Sequence, residues 1–232
     1  MVAIEYTLSP SMITKAKRFS DFRDRCKSYL QTHGRCYDKF TVHPEYDSII
    51  AYLTENFIVK HLRSISKGCF SVGKWQDQFD LDYIEYIIRN NSCLDEDINL
   101  VEAYFYDDFD IYISTPNSLS FVSVNIDVKT ARTLYNPQED WEFLYPQVQI
   151  KKKNKEEIIL LVYYQVKDKT DIFSLNKMII AGYLTTGEIS NCECVHEGEK
   201  TKHGTISQID NYQTELSNYH SVQELIDNYI KL

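Results

Sequence analysis

Two aspartates and a lysine in the middle of the chain have the spacing of groups held on one face of a β-hairpin. In Phe109-Asp110-Ile111-Tyr112-Ile113, the apolar residues share one face and Asp110 and Tyr112 share the other. Further on, Val122, Val124, Ile126 and Val128 form one face, and Ser123, Asn125, Asp127 and Lys129 the opposite one. Asp127 and Lys129 therefore point the same way, about 7 Å apart along the strand. In a suitable register Asp110 joins them. Two carboxylates offer hard oxygen ligands to Mg2+, which keeps several of its waters. A lysine beside them can orient or deprotonate an attacking water, and its charge can steady the charge that develops on a phosphate. That equipment suits phosphodiester hydrolysis.

These residues resemble a known signature. Asp110-Ile-Tyr-Ile, a short turn, then Val124-Asn-Ile-Asp127-Val-Lys129-Thr-Ala is similar to the motif of the PD-(D/E)xK nuclease superfamily. That superfamily includes many restriction endonucleases and DNA repair nucleases. Phe109 stands where the family commonly has proline, and Asp127 where glutamate is commoner. The resemblance covers roughly residues 44 to 185. It implies an α/β fold with a central mixed β-sheet flanked by helices, in a restriction endonuclease-like αβββαβ core. It implies a Mg2+-dependent DNA endonuclease, with Mn2+ able to substitute. Asp110 and Asp127 would ligate the metal, with the Val128 backbone carbonyl as an extra ligand. Lys129 would handle the water. The family often carries a further acid on the first core helix, and Glu55 is the candidate for it.

The elements that must position these groups read as follows. Residues 10–32 suggest a basic amphipathic helix through Ile13, Ala16, Lys17, Phe19, Phe22 and Cys26. Residues 44–66 give the strongest helix pattern. Pro44 and Asp47 mark its start and Lys67-Gly68 its end, and its apolar residues cover more than one stripe. A second core helix is expected over 80–90, ended by Asn90-Asn91-Ser92. Strands are expected over Leu100–Tyr106, Phe109–Ser114, Leu119–Lys129, 157–166 and Met178–Leu184, with a turn at Thr115-Pro116-Asn117-Ser118. The continuous apolar run at 157–166 is that of a doubly covered central strand. Thr185 and Glu188 have capping-box spacing, and an amphipathic helix is expected over 218–231. Residues 137–150 stay ambiguous, because Trp141, Leu144, Tyr145 and Val148 fit a helical period that Pro146 would break. The expected organisation is an N-terminal helical extension over 1–43 and a nuclease-like domain over 44–232, forming one compact unit.

Composition bounds the partners. Hydrophobic content is 43% and the formal net charge is −9. An acidic balance does not help nucleic-acid binding, since phosphate contacts supply much of that affinity. The basic stretches at 15–27 and 151–155 are therefore the segments expected to meet DNA phosphates. A cut in both strands calls for two sites, so a homodimer is expected. The first residues show no basic start followed by an apolar run, and no segment approaches membrane-spanning length. A cytoplasmic protein with six reduced cysteines is expected. Asp107 and Asp108 compete with Asp110, Asp108 with the right parity. Gln147 and Gln149 could support the site or touch DNA. Cys192, Cys194 and His196, with His203 beyond, are zinc-capable types, but structural zinc sites leave two to four residues between paired cysteines. A loop or hairpin is expected there. No Gly-rich phosphate loop and no Gly-x-Ser-x-Gly elbow occurs. The rival expectation is a catalytically inactive nucleic-acid-binding or regulatory protein that keeps the nuclease fold.

Overall fold

The computed structural model describes residues 1–36, 44–66, 68–115 and 122–230. The expected turn at 116–118, the expected strand start at 119–121 and Lys67 lie outside the described residues. A six-stranded mixed sheet organises the chain. In chain order its strands are β1 (Val2–Glu5), β2 (Ser71–Lys74), β3 (Ile111–Thr115), β4 (Val122–Thr133), β6 (Ile158–Val166) and β7 (Leu175–Thr185), and their spatial order is β1-β7-β6-β4-β3-β2. A three-stranded sheet of order β5-β9-β8 uses β5 (Glu142–Pro146), β8 (Glu193–Val195) and β9 (Asn211–Glu215).

Among the described residues, all strand pairings are antiparallel except one. β4 and β6 run parallel, with Ile126 beside Ile158 and Asp127 beside Ile159. β6 is buried at all nine positions, as its uninterrupted apolar sequence requires. Ile158, Leu160, Val162 and Tyr164 pack into the main core together with Ile111, Ile113 and Ile126. The helix α2 (Pro44–Ser66) closes this core through Ile49, Leu53, Phe57, Ile58 and Leu62. Ile159, Leu161 and Tyr163 point to the opposite face, where Tyr145, Ile150, Ile189, Tyr212 and Leu216 cover them. The large sheet is thus a middle layer.

The segment read as an N-terminal extension is packed on the rest of the molecule. β1 is an edge strand on β7, Val2 beside Ile180. The helix α1 (Pro10–Thr32) starts at Ser9, whose side chain accepts from the Met12 N–H at 3.3 Å, with Pro10 in the first turn. It buries Ala16 against α2, and Phe22, Cys26, Tyr29 and Leu30 against α3 (Leu81–Arg89) and α4 (Asp95–Phe105).

α4 corrects one expectation. Leu100–Tyr106 was expected as a strand because the run is apolar and aromatic. Two features favour a helix: Asp95, Glu96 and Asp97 sit in the first turn, where carboxylates complement the helix dipole, and Ile98, Val101, Tyr104 and Phe105 recur on one helical face and are buried. Residues 137–150 resolve into β5 followed by the single-turn α5 (Gln147–Ile150), with Pro146 as the boundary. The Thr185–Glu188 capping box forms and opens α6 (Thr186–Ser190). The final helix begins at α7 (Val222–Leu225), not at 218, and continues as a π-helical turn over Ile226–Ile230. β1, β2 and β8 are too short to leave an alternating pattern, and β9 is mostly polar.

Gly182 locks the C-terminal segment onto β7. It takes φ +143°, and a Cβ there would lie 2.3 Å from the His220 carbonyl oxygen. That oxygen accepts from the Tyr183 N–H at 2.9 Å, and the His220 N–H donates back at 3.0 Å. Gly182→Ala is expected to cost at least about 2 kcal/mol, from backbone strain plus the clash. A urea melt whose midpoint does not fall would refute this account of the clamp.

Candidate active site at the end of the β3–β4 hairpin

Asp110 stands at the point where β3 leaves the ladder. Its N–H donates to the Ile126 carbonyl at 3.0 Å, and its own carbonyl accepts from the Trp75 N–H at 3.1 Å. The β3–β4 pairing ends at Ile111–Ile126. Beyond it, the Val128 N–H has no β3 backbone to meet, and the Asp110 carboxylate accepts its hydrogen bond at 2.6 Å. Backbone geometry therefore fixes this side chain next to Asp127. Ile111, Ile113, Ile126 and Val128 face the main core as the alternation requires, whereas Phe109, expected on the same face as Ile111 and Ile113, lies outside that core and on the site side, ahead of the start of β3. Asn125, Asp127 and Lys129 line a cleft of about 750 Å3 together with Asp110.

Asp127 is buried and ringed by charge. Its Oδ1 lies 3.0 Å from Lys129 Nζ and its Oδ2 lies 3.3 Å from Lys153 Nζ. Burial alone would raise its pKa, yet the two ammoniums and a hydrogen bond from Asp110 outweigh that and hold it below the usual carboxylate value. Asp110 moves the other way. Burial raises its pKa well above the ordinary value, and the charges of Asp127 and Glu55 add to the effect. Two carboxylates in contact cannot both ionise cheaply, so the pair titrates as a unit in which Asp110 retains the proton.

Asp110, Asp127 and Lys129 are thus brought together. Glu55 is buried on α2, close enough to raise the pKa of Asp110 and of Asp107. Its Oε2 lies 2.9 Å from Lys74 Nζ, with both side chains more than nine-tenths buried. Asp107 pairs with Arg23 at 3.1 Å, and burial pushes its carboxyl up to about 6 despite that guanidinium. Asp108 is exposed at the cleft rim. Gln149 lines the cleft, whereas Gln147 is buried and donates to Cys194 Sγ at 3.0 Å. Of the two basic stretches, Arg23, Lys152 and Lys153 reach the cleft. Lys15, Arg18 and Arg25 line a separate cavity of about 530 Å3.

Lys153 was expected only as one of the 151–155 phosphate contacts, and Glu157 and Lys74 were given no role; Lys153 and Glu157 line the cleft, and Lys74 pairs with Glu55. Parallel pairing is the signal for the first two. It sets the residues just before Ile158 beside the Ile126–Asp127 stretch of β4. The zinc-capable residues separate onto different partners: Cys192 donates to the Glu188 carbonyl, His196 faces Asp210 and His203 meets the Asp140 carbonyl. Among the described residues, no group of three His, Cys, Asp or Glu side chains forms a metal-ligand set. The Asp110–Asp127 pair still suits Mg2+, a cation commonly held by one or two carboxylates plus waters and substrate phosphates. All six cysteines are free.

Two expected outcomes follow from these electrostatics. Because folding raises the Asp110 pKa, the native state is penalised progressively as pH climbs past the ordinary carboxylate value of about 4, and the penalty is complete above the folded value. Asp110→Asn keeps an acceptor for the Val128 N–H and removes the like charge. In metal-free buffer its Tm should exceed the wild-type Tm at pH 8, with the gain gone near pH 3; equal Tm values at pH 8 would contradict the repulsion. Lys74→Met strands a buried Glu55 carboxylate and should cost about 3–5 kcal/mol in chemical denaturation, part of it recovered by Glu55→Gln in the same chain. No recovery would mean the two groups do not act as a pair. Comparison of the chain with family models, curated proteins and solved structures returned no match.

Proposed function

We propose that the protein is a Mg2+-dependent endonuclease of the PD-(D/E)xK kind, acting on DNA. The observation that carries this reading is the convergence of Asp110, Asp127 and Lys129 in one cleft. The chain order supports it. A helix, α2, precedes an antiparallel meander of β2, β3 and β4, and the next strand of the large sheet, β6, lies parallel to β4. In this reading the second helix of the αβββαβ core is reduced to the single turn of α5. Arg23, Lys129, Lys152 and Lys153 line the cleft beside five acids, Asp107, Asp108, Asp110, Asp127 and Glu157; the four cations offer phosphate contacts, and a bound divalent cation would offset the acids.

Asp110 and Asp127 would hold the cation, joined by the Val128 carbonyl, while Glu55 tunes the pair through its charge. When bound, a divalent cation supplies Lewis-acid stabilisation of a phosphate there. The chain's own groups do the rest. Asp127 holds the Lys129 ammonium at 3.0 Å, which fixes that ammonium to orient a water and to stabilise charge on the scissile phosphate. The Val128 N–H holds Asp110 toward Asp127. Lys152 and Arg23 meet flanking phosphates. Cleavage of both strands of a duplex would need a second copy of the chain.

The test is cleavage of mixed single- and double-stranded DNA with Mg2+ or Mn2+. Asp127→Asn and Lys129→Met should each lower the rate at least about 100-fold while circular dichroism stays unchanged. Undiminished cleavage in both variants would remove the assignment. Metal-independent DNA binding without cleavage by the wild type would instead establish the inactive binding protein.

A further inference from the structure

Lys153 enters the site from outside the hairpin, in the turn between α5 and β6. Its Nζ lies 3.3 Å from Asp127 Oδ2, 3.0 Å from Glu157 Oε2 and 3.4 Å from the Asp108 carbonyl oxygen. An ammonium has three N–H donors, and three oxygens surround this one. Two are carboxylate and one is carbonyl, the hard donors that Mg2+ and Mn2+ select. Glu157 is itself held, since its Oε1 accepts from the Asn154 N–H at 2.9 Å. The Lys153 side chain is 16% exposed against 28% for Lys129, so it is the more enclosed of the two.

We propose that Lys153 is a tethered cation standing in the place of a second metal ion, so that the site takes one divalent cation, at the Asp110–Asp127 pair. The inference rests on the nuclease reading in one respect: Asp127 is taken as a cation ligand. Charge balance supports it. With Asp110 ionised on binding the metal, Asp110, Asp127 and Glu157 face Lys129 and Lys153, which leaves one negative charge. One divalent cation and one phosphodiester then bring the site to neutrality. Two divalent cations would leave it doubly positive and would have to displace an ammonium already satisfied by three oxygens. Lys153 is thus a positioning residue, which fixes and neutralises the outer oxygen of Asp127.

Removing the side chain should open the second place. Mn2+ binding, counted by calorimetry and by the loss of free-ion paramagnetic resonance signal, should give one ion per wild-type chain. Lys153→Ala should bind two, and Lys153→Ala with Glu157→Gln should return to one. Two ions on the wild type overturn the proposal, and that count holds even if Lys153→Ala fails to fold. Where the wild type binds one ion, a single ion on a folded Lys153→Ala chain also overturns it. No ion on the wild type but one on Lys153→Ala supports the tethered cation while sinking the metal-dependent nuclease reading. No ion on either sinks both.

Discussion

The parallel pairing of β4 with β6 decides where every charged group of the cleft can lie. β4 carries Asp127 and Lys129, and β6 begins immediately after the turn that carries Lys153 and Glu157. Parallel strands begin at the same end of a sheet, so this turn is delivered beside Asp127. Had β6 paired antiparallel, the turn would lie at the far end and Asp127 would lose one of its two ammoniums. The pairing depends in turn on burial. β6 has apolar residues on both faces and needs cover on both, which α2 and the small sheet provide.

The site is a local concentration of unfavourable electrostatics inside a well-packed frame. Acids meet at Asp110–Asp127, and buried charges meet at Glu55–Lys74. Neither arrangement is one that packing alone would select, because desolvated ions are rarely better than apolar side chains of the same volume. Their supports are backbone groups. The Val128 N–H holds Asp110, and Arg63 of α2 donates twice to the Val72 carbonyl on β2, at 3.0 and 2.6 Å. The helix carrying Glu55 is thereby fastened to the strand carrying Lys74. Groups that repel or cost desolvation stay in place because the secondary structure leaves them no alternative.

Much of this was legible in sequence where a strong period meets burial. The α2 pattern, the β6 run and the alternation across Asp127 all have a repeat that only one element satisfies. Leu100–Tyr106 was misread because apolar and aromatic content outweighed a helical repeat that starts earlier, at Ile98, behind three acids. The α4 residues Val101 and Tyr104 show that the period was present all along. The short strands β1, β2 and β8 carry too few residues for any period to show. At the site, Asp110, Asp127 and Lys129 could be grouped because they share neighbouring strands. Lys153 could not be placed on Asp127 from residue type, since its approach is a property of strand order. Lys74 lies on a strand of four residues that sequence did not reveal, so the partner of Glu55 stayed hidden.

The Asp110–Val128 hydrogen bond makes hairpin alignment and chemistry inseparable. Extending the β3–β4 register by one pair sets Asp110 across from Asp127. A slip of a single residue would offer Phe109 or Ile111 there instead, both apolar, and would turn every side chain of the strand to the other face. A misaligned molecule would therefore not be a slower or less selective version of the native one. It would lack the acid pair altogether, so the population divides into molecules that possess the constellation whole and molecules that possess none of it.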